Sequence, residues 1–259
     1  MDRRSLSGGA TSLIVAIALL GSACSTAWTP FQASIWNPAQ LFTKQTEVRG
    51  LRVNVLYGEN ERVDGIDLGC ANFAGELDGV QVGGLVNGTK GRVRGLQVPA
   101  VVNHAGAIQG VQVAAYNYAG GVVGAQIAPG NQTDGDVRGL QLGVIFNLAE
   151  SFKGVQIGGL HNQSGDSSGL QLAAGVNQAK EMSGVQISAL GNVAKGFVGL
   201  QLGGLLNRAE RLKGMQIGLL NINKGGPLPF FPIVNFDFGG SDESHEAAPP
   251  AGASGEKDD

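Results

Sequence analysis

Histidine, aspartate and glutamate are the residues of this sequence that could bind a metal ion or transfer a proton, and their spacing favours neither. The three histidines, His104, His161 and His245, share no metal-ligand spacing. Each is interpreted as a solvated side chain. No pair of acidic residues recurs at one position where both carboxylates could reach a bond. We therefore expect no enzymatic activity, no metal and no cofactor.

The N-terminal segment 1–24 has the three parts of an export signal. Arg3-Arg4 precedes an apolar run at 11–20, which is too short to span a bilayer comfortably, and small residues lead to Cys24. This order resembles a bacterial lipoprotein signal, in which the cysteine becomes the acylated first residue. Ordinary cleavage after Ala23 or Ala27 is the alternative. We expect an exported protein of the cell envelope, anchored in the outer membrane through a lipid on Cys24.

The composition indicates a chain that turns often and has no basic surface. Of 259 residues, 43 are glycine and only 15% are charged, with a net charge of −3. Glycine at this frequency, without a Gly-X-Y triplet, excludes collagen and indicates turns or close backbone packing. The balanced charge suggests no nucleic-acid partner. With Cys24 acylated, Cys70 would be unpaired, and we interpret it as a buried small side chain.

A repeat of about 15 residues occupies the chain from residue 50 to 223. Each copy begins with glycine, and the opening glycines follow one another at a nearly constant spacing. From Gly79 onwards each copy opens Gly-apolar-Gln-apolar, and an asparagine follows seven or eight residues after the glycine. The glutamines include Gln141, Gln156, Gln171, Gln186 and Gln201, and the asparagines include Asn147, Asn162, Asn177, Asn192 and Asn207. Such self-similarity is the sequence signature of a repeat architecture.

The short alternating segments of the repeat predict β-strands. In Gly199-Leu200-Gln201-Leu202 we expect the leucines inside and the glutamine in an outward row. A third apolar position recurs near the end of each copy and is broken only at Ser167. Three apolar positions suit a three-sided coil with glycine at its corners. The prediction is an all-β fold, a β-solenoid of about twelve 15-residue rungs, with glutamines and asparagines stacked in ladders.

An up-and-down β-barrel of the outer membrane, with a pore or structural role, is the alternative. From Gly139 the copies alternate between GLQL and GVQI or GMQI, and a hairpin could explain this period of two copies. Three features oppose a barrel. Antiparallel neighbours would not place glutamine opposite glutamine, all connections are alike, and aromatic girdles are missing. We therefore favour the solenoid.

The segments beside the repeat domain (50–223) are predicted to cover its open ends. Residues 25–49 contain both tryptophans and are predicted to form an N-terminal linker or cap over the first rung. Residues 224–238 carry prolines and four phenylalanines, which we expect to end strand pairing and seal the last rung. Residues 239–259 are predicted to form a disordered acidic tail.

The copies GVQIGGLHN, GLQLGGLLN and GMQIGLLNIN resemble those of a family of bacterial surface proteins with tandem Gly-x-Gln-x-Gly-x-x-Asn units behind an export signal. The resemblance covers about residues 50–238. It implies an envelope or surface location and no enzymatic activity. We expect a structural or interaction module whose partners are the membrane, through the lipid anchor, and envelope polysaccharide or protein. The glutamine row could bind polysaccharide, although a solvated face is the simpler interpretation.

Overall fold

The computed structural model describes residues 27–238, and the predicted signal, Cys24, His245 and the acidic tail lie outside the described residues. The described chain forms one eleven-stranded sheet without helices. The strands are β1 (Trp28–Trp36), β2 (Ala39–Gln40), β3 (Glu47–Pro99), β4 (Val102–Val113), β5 (Tyr116–Ala119), β6 (Val122–Gly158), β7 (His161–Ala173), β8 (Val176–Ser188), β9 (Gly191–Gly203), β10 (Leu206–Asn223) and β11 (Phe230–Asp237).

Copies of the repeat stack in parallel and in register, which makes the fold a β-solenoid. Gln216 pairs with Gln201 and Asn207 with Asn192, and like residues pair in the preceding rungs as well. A strand as long as β3, with 53 residues, follows the coil through several corners while it stays paired. The predicted all-β solenoid is confirmed. The barrel alternative is wrong, because neighbouring strands of an up-and-down barrel run antiparallel.

The opening glycine of each copy forms a corner of the coil, as the sequence predicts. All twelve have positive φ angles, between 121° and 148°, where residues with a Cβ are strained. The corners also stack closely. A Cβ added to Gly184 would lie 2.1 Å from the main-chain oxygen of Gly169. Both effects exclude any other residue at this position.

The interior of the coil holds amides and small residues as well as apolar ones. The recurring glutamines and asparagines are fully buried. The apolar residue near the end of each copy is also buried, and it packs on its counterparts in two clusters. The first cluster extends to Phe152 and the second begins at Ala179. Ser167, the polar exception in this column, lies in the rung between them.

The sequence-based assignment of the two strand faces is wrong. Gln201 is fully buried, whereas Leu200 and Leu202 lie on the outer surface and are partly exposed. A stacked glutamine receives and donates hydrogen bonds within its own column, so its burial leaves few polar groups unpaired. Phe152 and Gln156, on either side of the corner at Gly154, are likewise both buried.

The C-terminal end is covered by strand β11 and not by its aromatic side chains. β11 turns back and pairs antiparallel with β10, which places the buried Asn235 beside Gln216. Pro232 takes part in this pairing, so the prolines do not end it. The predicted aromatic seal is wrong, because the phenylalanines are 47–63% exposed: Phe230, Phe231, Phe236 and Phe238.

At the N-terminal end, β1 adds to the sheet in the same parallel direction as the repeats. It pairs with the start of β3, and β2 folds back on it. Gln32 and Ser34 of β1 are buried, in line with the polar interior. Trp28 and Trp36 are about half exposed and do not cover the first rung. The first rung is therefore extended by a strand and not capped by tryptophan.

Candidate functional site

A row of hydrogen bonds joins the buried glutamines along the solenoid. From Gln97 to Gln216, each glutamine donates from Nε2 to Oε1 of the glutamine one rung earlier, over 2.7–2.9 Å. At the N-terminal end Gln81 donates to Asp67, which also accepts from Arg52 Nε and Nη2. Arg52 and Asp67 occupy the glutamine position of the two degenerate copies, and both side chains are fully buried.

The buried asparagines form a second row with the opposite direction. Asn147, for example, donates from Nδ2 to Oδ1 of Asn162 in the following rung and to the main-chain oxygen of Ile157, both at 2.8 Å. Main-chain oxygens only accept, so this second contact fixes the orientation of each amide. The predicted asparagine ladder is present, with one interruption at Asn103, whose Oδ1 has no partner among the described residues.

The amide rows stabilise the fold, and their polar groups are buried and inaccessible to a ligand. Each glutamine of the row is fully buried, so the idea that this row binds polysaccharide is wrong. Among residues 27–238, no group of three or more His, Cys, Asp or Glu side chains is placed to hold a metal ion. The described chain also contains no helix long and apolar enough to cross a membrane. The candidate binding surfaces of the described chain therefore lie on the outside of the solenoid.

The outward side chains on both sides of the buried glutamine form a continuous aliphatic surface, which we call the aliphatic face. It consists of the second and fourth residues of all twelve copies, from Leu51 and Val53 to Met215 and Ile217. None of these positions is charged or polar, and none is fully buried. Ile66, for example, is 48% exposed. Soluble monomers rarely expose so long an uninterrupted apolar surface.

Both end strands extend the aliphatic face. In β1, Phe31 lies beside Leu51, and in β11, Phe236 lies beside Met215. With strands about 4.8 Å apart and about 13 Å of strand in each rung, the face measures about 60 by 13 Å, or about 800 Å². The largest patch on a typical monomer is about 300–600 Å².

The corner that follows the aliphatic face is apolar too. Val144, Ile145, Leu160, Leu190 and Leu205 lie there and are 47–68% exposed. The charged residues of the repeat domain, other than the buried Arg52 and Asp67, occur only in the second half of their copies. They include exposed ion pairs such as Lys90 with Glu59 at 3.1 Å. The solenoid is therefore amphipathic around its axis, with one aliphatic side and one charged side.

A groove of about 490 Å³ lies on the charged part of the surface. Lys180, Lys195 and Arg208 line it together with Glu150 and Glu210. These side chains come from four rungs and carry charges of both signs, so the groove has no dominant charge. Nothing in this arrangement singles out one ligand.

Aromatic side chains cluster on the surface of the N-terminal half of the solenoid. His104 stacks on Tyr118 with ring centroids 5.1 Å apart, and Tyr57 meets Phe73 edge-on at 5.4 Å. The Tyr118 hydroxyl donates to Asp134. This hydrogen bond raises the pKa of Tyr118 and lowers the pKa of Asp134. The ring faces are apolar and the carboxylate accepts hydrogen bonds.

Together these features define the protein as a single-sheet β-solenoid with an amide core, one aliphatic side and one charged side. No protein-family model matches the chain, and no curated protein or solved structure matches it.

The residues singled out in the sequence lie partly inside the solenoid and partly on its outer surface. The predicted ladder residues lie together inside, while His104 and His161 lie outside in separate rungs. Cys70 is partly buried at the apolar corner. Sequence reasoning missed the aliphatic face. Its signal is nevertheless visible in the sequence, since the second and fourth positions of the copies contain no polar residue.

Proposed function

We propose that the protein is a non-catalytic, exported protein of the cell envelope, held at the membrane by a lipid on Cys24, where it acts as an interaction module. The observation that carries the interaction role is the aliphatic face, which exceeds the apolar patches of ordinary monomers. The order of the N-terminal segment 1–24 supports export and lipid attachment. The resemblance of the repeat to bacterial surface proteins supports the envelope location.

The geometry suits a rigid module close to its anchor. Trp28 begins the first strand only four residues after Cys24. An extended chain of that length spans at most about 14 Å. A lipid on Cys24 would therefore hold the N-terminal end of the solenoid near the bilayer surface. The glutamine row, which begins at Arg52 and Asp67 and ends at Gln216, connects that end with the far end through every copy of the repeat.

Lipid attachment is tested on the full chain, produced with its own signal in a bacterial host and labelled with an alkyne fatty acid. We expect label on the unchanged protein and recovery of that protein with the membrane fraction. Cys24→Ser should lose the label and leave the membrane fraction. The matched control Cys70→Ser should keep both. An unlabelled parent protein, or a Cys24→Ser variant that stays with the membrane, would contradict the anchor.

Binding of envelope polysaccharide is a second candidate function, favoured by the stacked His104–Tyr118 pair and the neighbouring Tyr116–Phe146 contact. Aromatic faces bind sugars by stacking, and the nearby carboxylate of Asp134 could accept their hydroxyl groups. Replacing Tyr116, Tyr118 and Phe146 with alanine should abolish binding to isolated envelope glycans. Binding that persists in this triple variant would exclude the site.

A further inference from the structure

We infer that the aliphatic face is covered by a second copy of this chain, packed face to face in a homodimer. The inference rests on the proposed role as an interaction module, because it names the partner of that module. It does not depend on lipid attachment at Cys24.

The area of the face is that of a stable interface. About 800 Å² lies on each copy, and a standard protein interface buries about 800 Å² per partner. The face has no gap, since Phe31 and Phe236 continue it onto both end strands. A second copy would cover the whole surface at once, whereas a single helix, about 10–12 Å across, would leave an edge of the face, about 13 Å wide, uncovered.

The chemistry of the face demands an equally flat and apolar partner. Its main-chain groups are paired between the rungs, so an added chain finds no free hydrogen-bonding groups there. Apart from the thioether of Met215, its side chains in the twelve copies offer only hydrocarbon groups for contact. Two such surfaces can pack at about 10 Å, as sheets do in β-sandwiches. The second copy supplies this surface without any further protein.

A two-fold axis parallel to the strands brings two faces together over their whole length when it lies at the midpoint of the face. That midpoint falls between the copies that open at Gly124 and Gly139. From Leu140 the second position of successive copies reads Leu, Val, Leu, Val, Leu. Since neighbouring strands run parallel, a hairpin does not account for this period of two copies.

A protein partner fits the face better than a lipid surface does. Interfacial membrane elements carry tryptophan or phenylalanine on the apolar face that enters the headgroup region. In the twelve copies the aliphatic face has neither of these residues. The tryptophans of the described chain lie in β1, at one end of the solenoid.

The test uses the full chain carrying Cys24→Ser, examined without detergent by analytical ultracentrifugation and multi-angle light scattering. We expect a dimer. Leu170→Asp, at the middle of the run of alternating leucine and valine, should raise the dissociation constant at least 100-fold. The matched control Gln178→Asp changes an exposed residue of the same copy on another side and should leave the dimer intact. Circular dichroism reports whether each variant folds, and Leu170→Gln replaces Leu170→Asp if that variant does not.

Three results would overturn the inference: a monomer at all concentrations, a dimer that Leu170→Asp leaves unchanged, or a monomer that floats with phosphatidylcholine vesicles through this face. The last result would assign the face to lipid. Fatty-acid labelling of Cys24 is read separately. If the protein is unlabelled and the Cys24→Ser form is a dimer, the anchor is contradicted and the homodimer is supported. If the protein is labelled and its Cys24→Ser form is a monomer, the anchor is supported and the homodimer is contradicted.

Discussion

Gln81 donates a hydrogen bond of 2.8 Å to the buried carboxylate of Asp67, and this contact sets the direction of the whole glutamine row. A carboxylate only accepts, so Gln81 must present its nitrogen to Asp67 and its oxygen to Gln97. Every later glutamine repeats this orientation. The last acceptor of the row, Gln216 Oε1, accordingly lacks a partner among the described residues. One charged residue at one end thus orders amides along the length of the rod.

Asp67→Ala should lower the free energy of unfolding by about 3–5 kcal/mol, because it leaves the buried Arg52 without its counterion. The measurement is equilibrium unfolding in urea. Glu47→Ala is the matched control, because it breaks an exposed pair with Arg49 and should cost less than about 1 kcal/mol. Equal losses for both variants would show that Asp67 is not a buried partner.

Gln171→Ala should destabilise the fold by about 2–4 kcal/mol, since it leaves the amide of Gln186 without its acceptor and Gln156 without its donor. Gln178→Ala removes an exposed glutamine of the same copy and should change stability by less than about 0.5 kcal/mol. The denaturant midpoints of the two variants give the comparison. If Gln171→Ala unfolds at the same denaturant concentration as the parent protein, the glutamine row does not lie inside the coil.

Gly184→Ala should cost about 2 kcal/mol or more, because its φ of 134° strains any other residue. The added Cβ would also meet the main-chain oxygen of Gly169. Gly121→Ala is the control, because the nearest atom to its added Cβ is 3.7 Å away. Thermal unfolding of both variants checks this. A clear destabilisation by Gly121→Ala alone would contradict the corner geometry.

Ser167→Val should raise the free energy of unfolding by about 1 kcal/mol, because it fills the gap in the apolar column between Phe152 and Met182. Ser164, which loses the hydrogen bond from Ser167, keeps the one from Gln171. Ser168→Val changes the next residue, which lies outside the apolar column, and should have little effect. Urea unfolding measures both, and a loss of stability in Ser167→Val would show that the serine pair matters more than the apolar contact.

The repeat made much of the fold predictable. Each copy is short and opens with a glycine, and its asparagine recurs at a nearly constant distance. Strands of this kind can stack on themselves, so the parallel register, the corners and the asparagine row follow from the spacing. The end strands were less predictable. β11 runs antiparallel to β10, and its direction depends on the turn before it and not on any repeat.

The sequence by itself determined that Leu200 and Leu202 share one face and Gln201 the other, because side chains alternate along a strand. Only the tertiary structure decided which face is inside. Hydropathy favours burying leucine, but that preference assumes that a buried amide has no partner. In a parallel stack the partner is the same residue one rung away. The buried amides therefore hydrogen-bond to one another, and the leucines lie on the outside, where another surface can contact them.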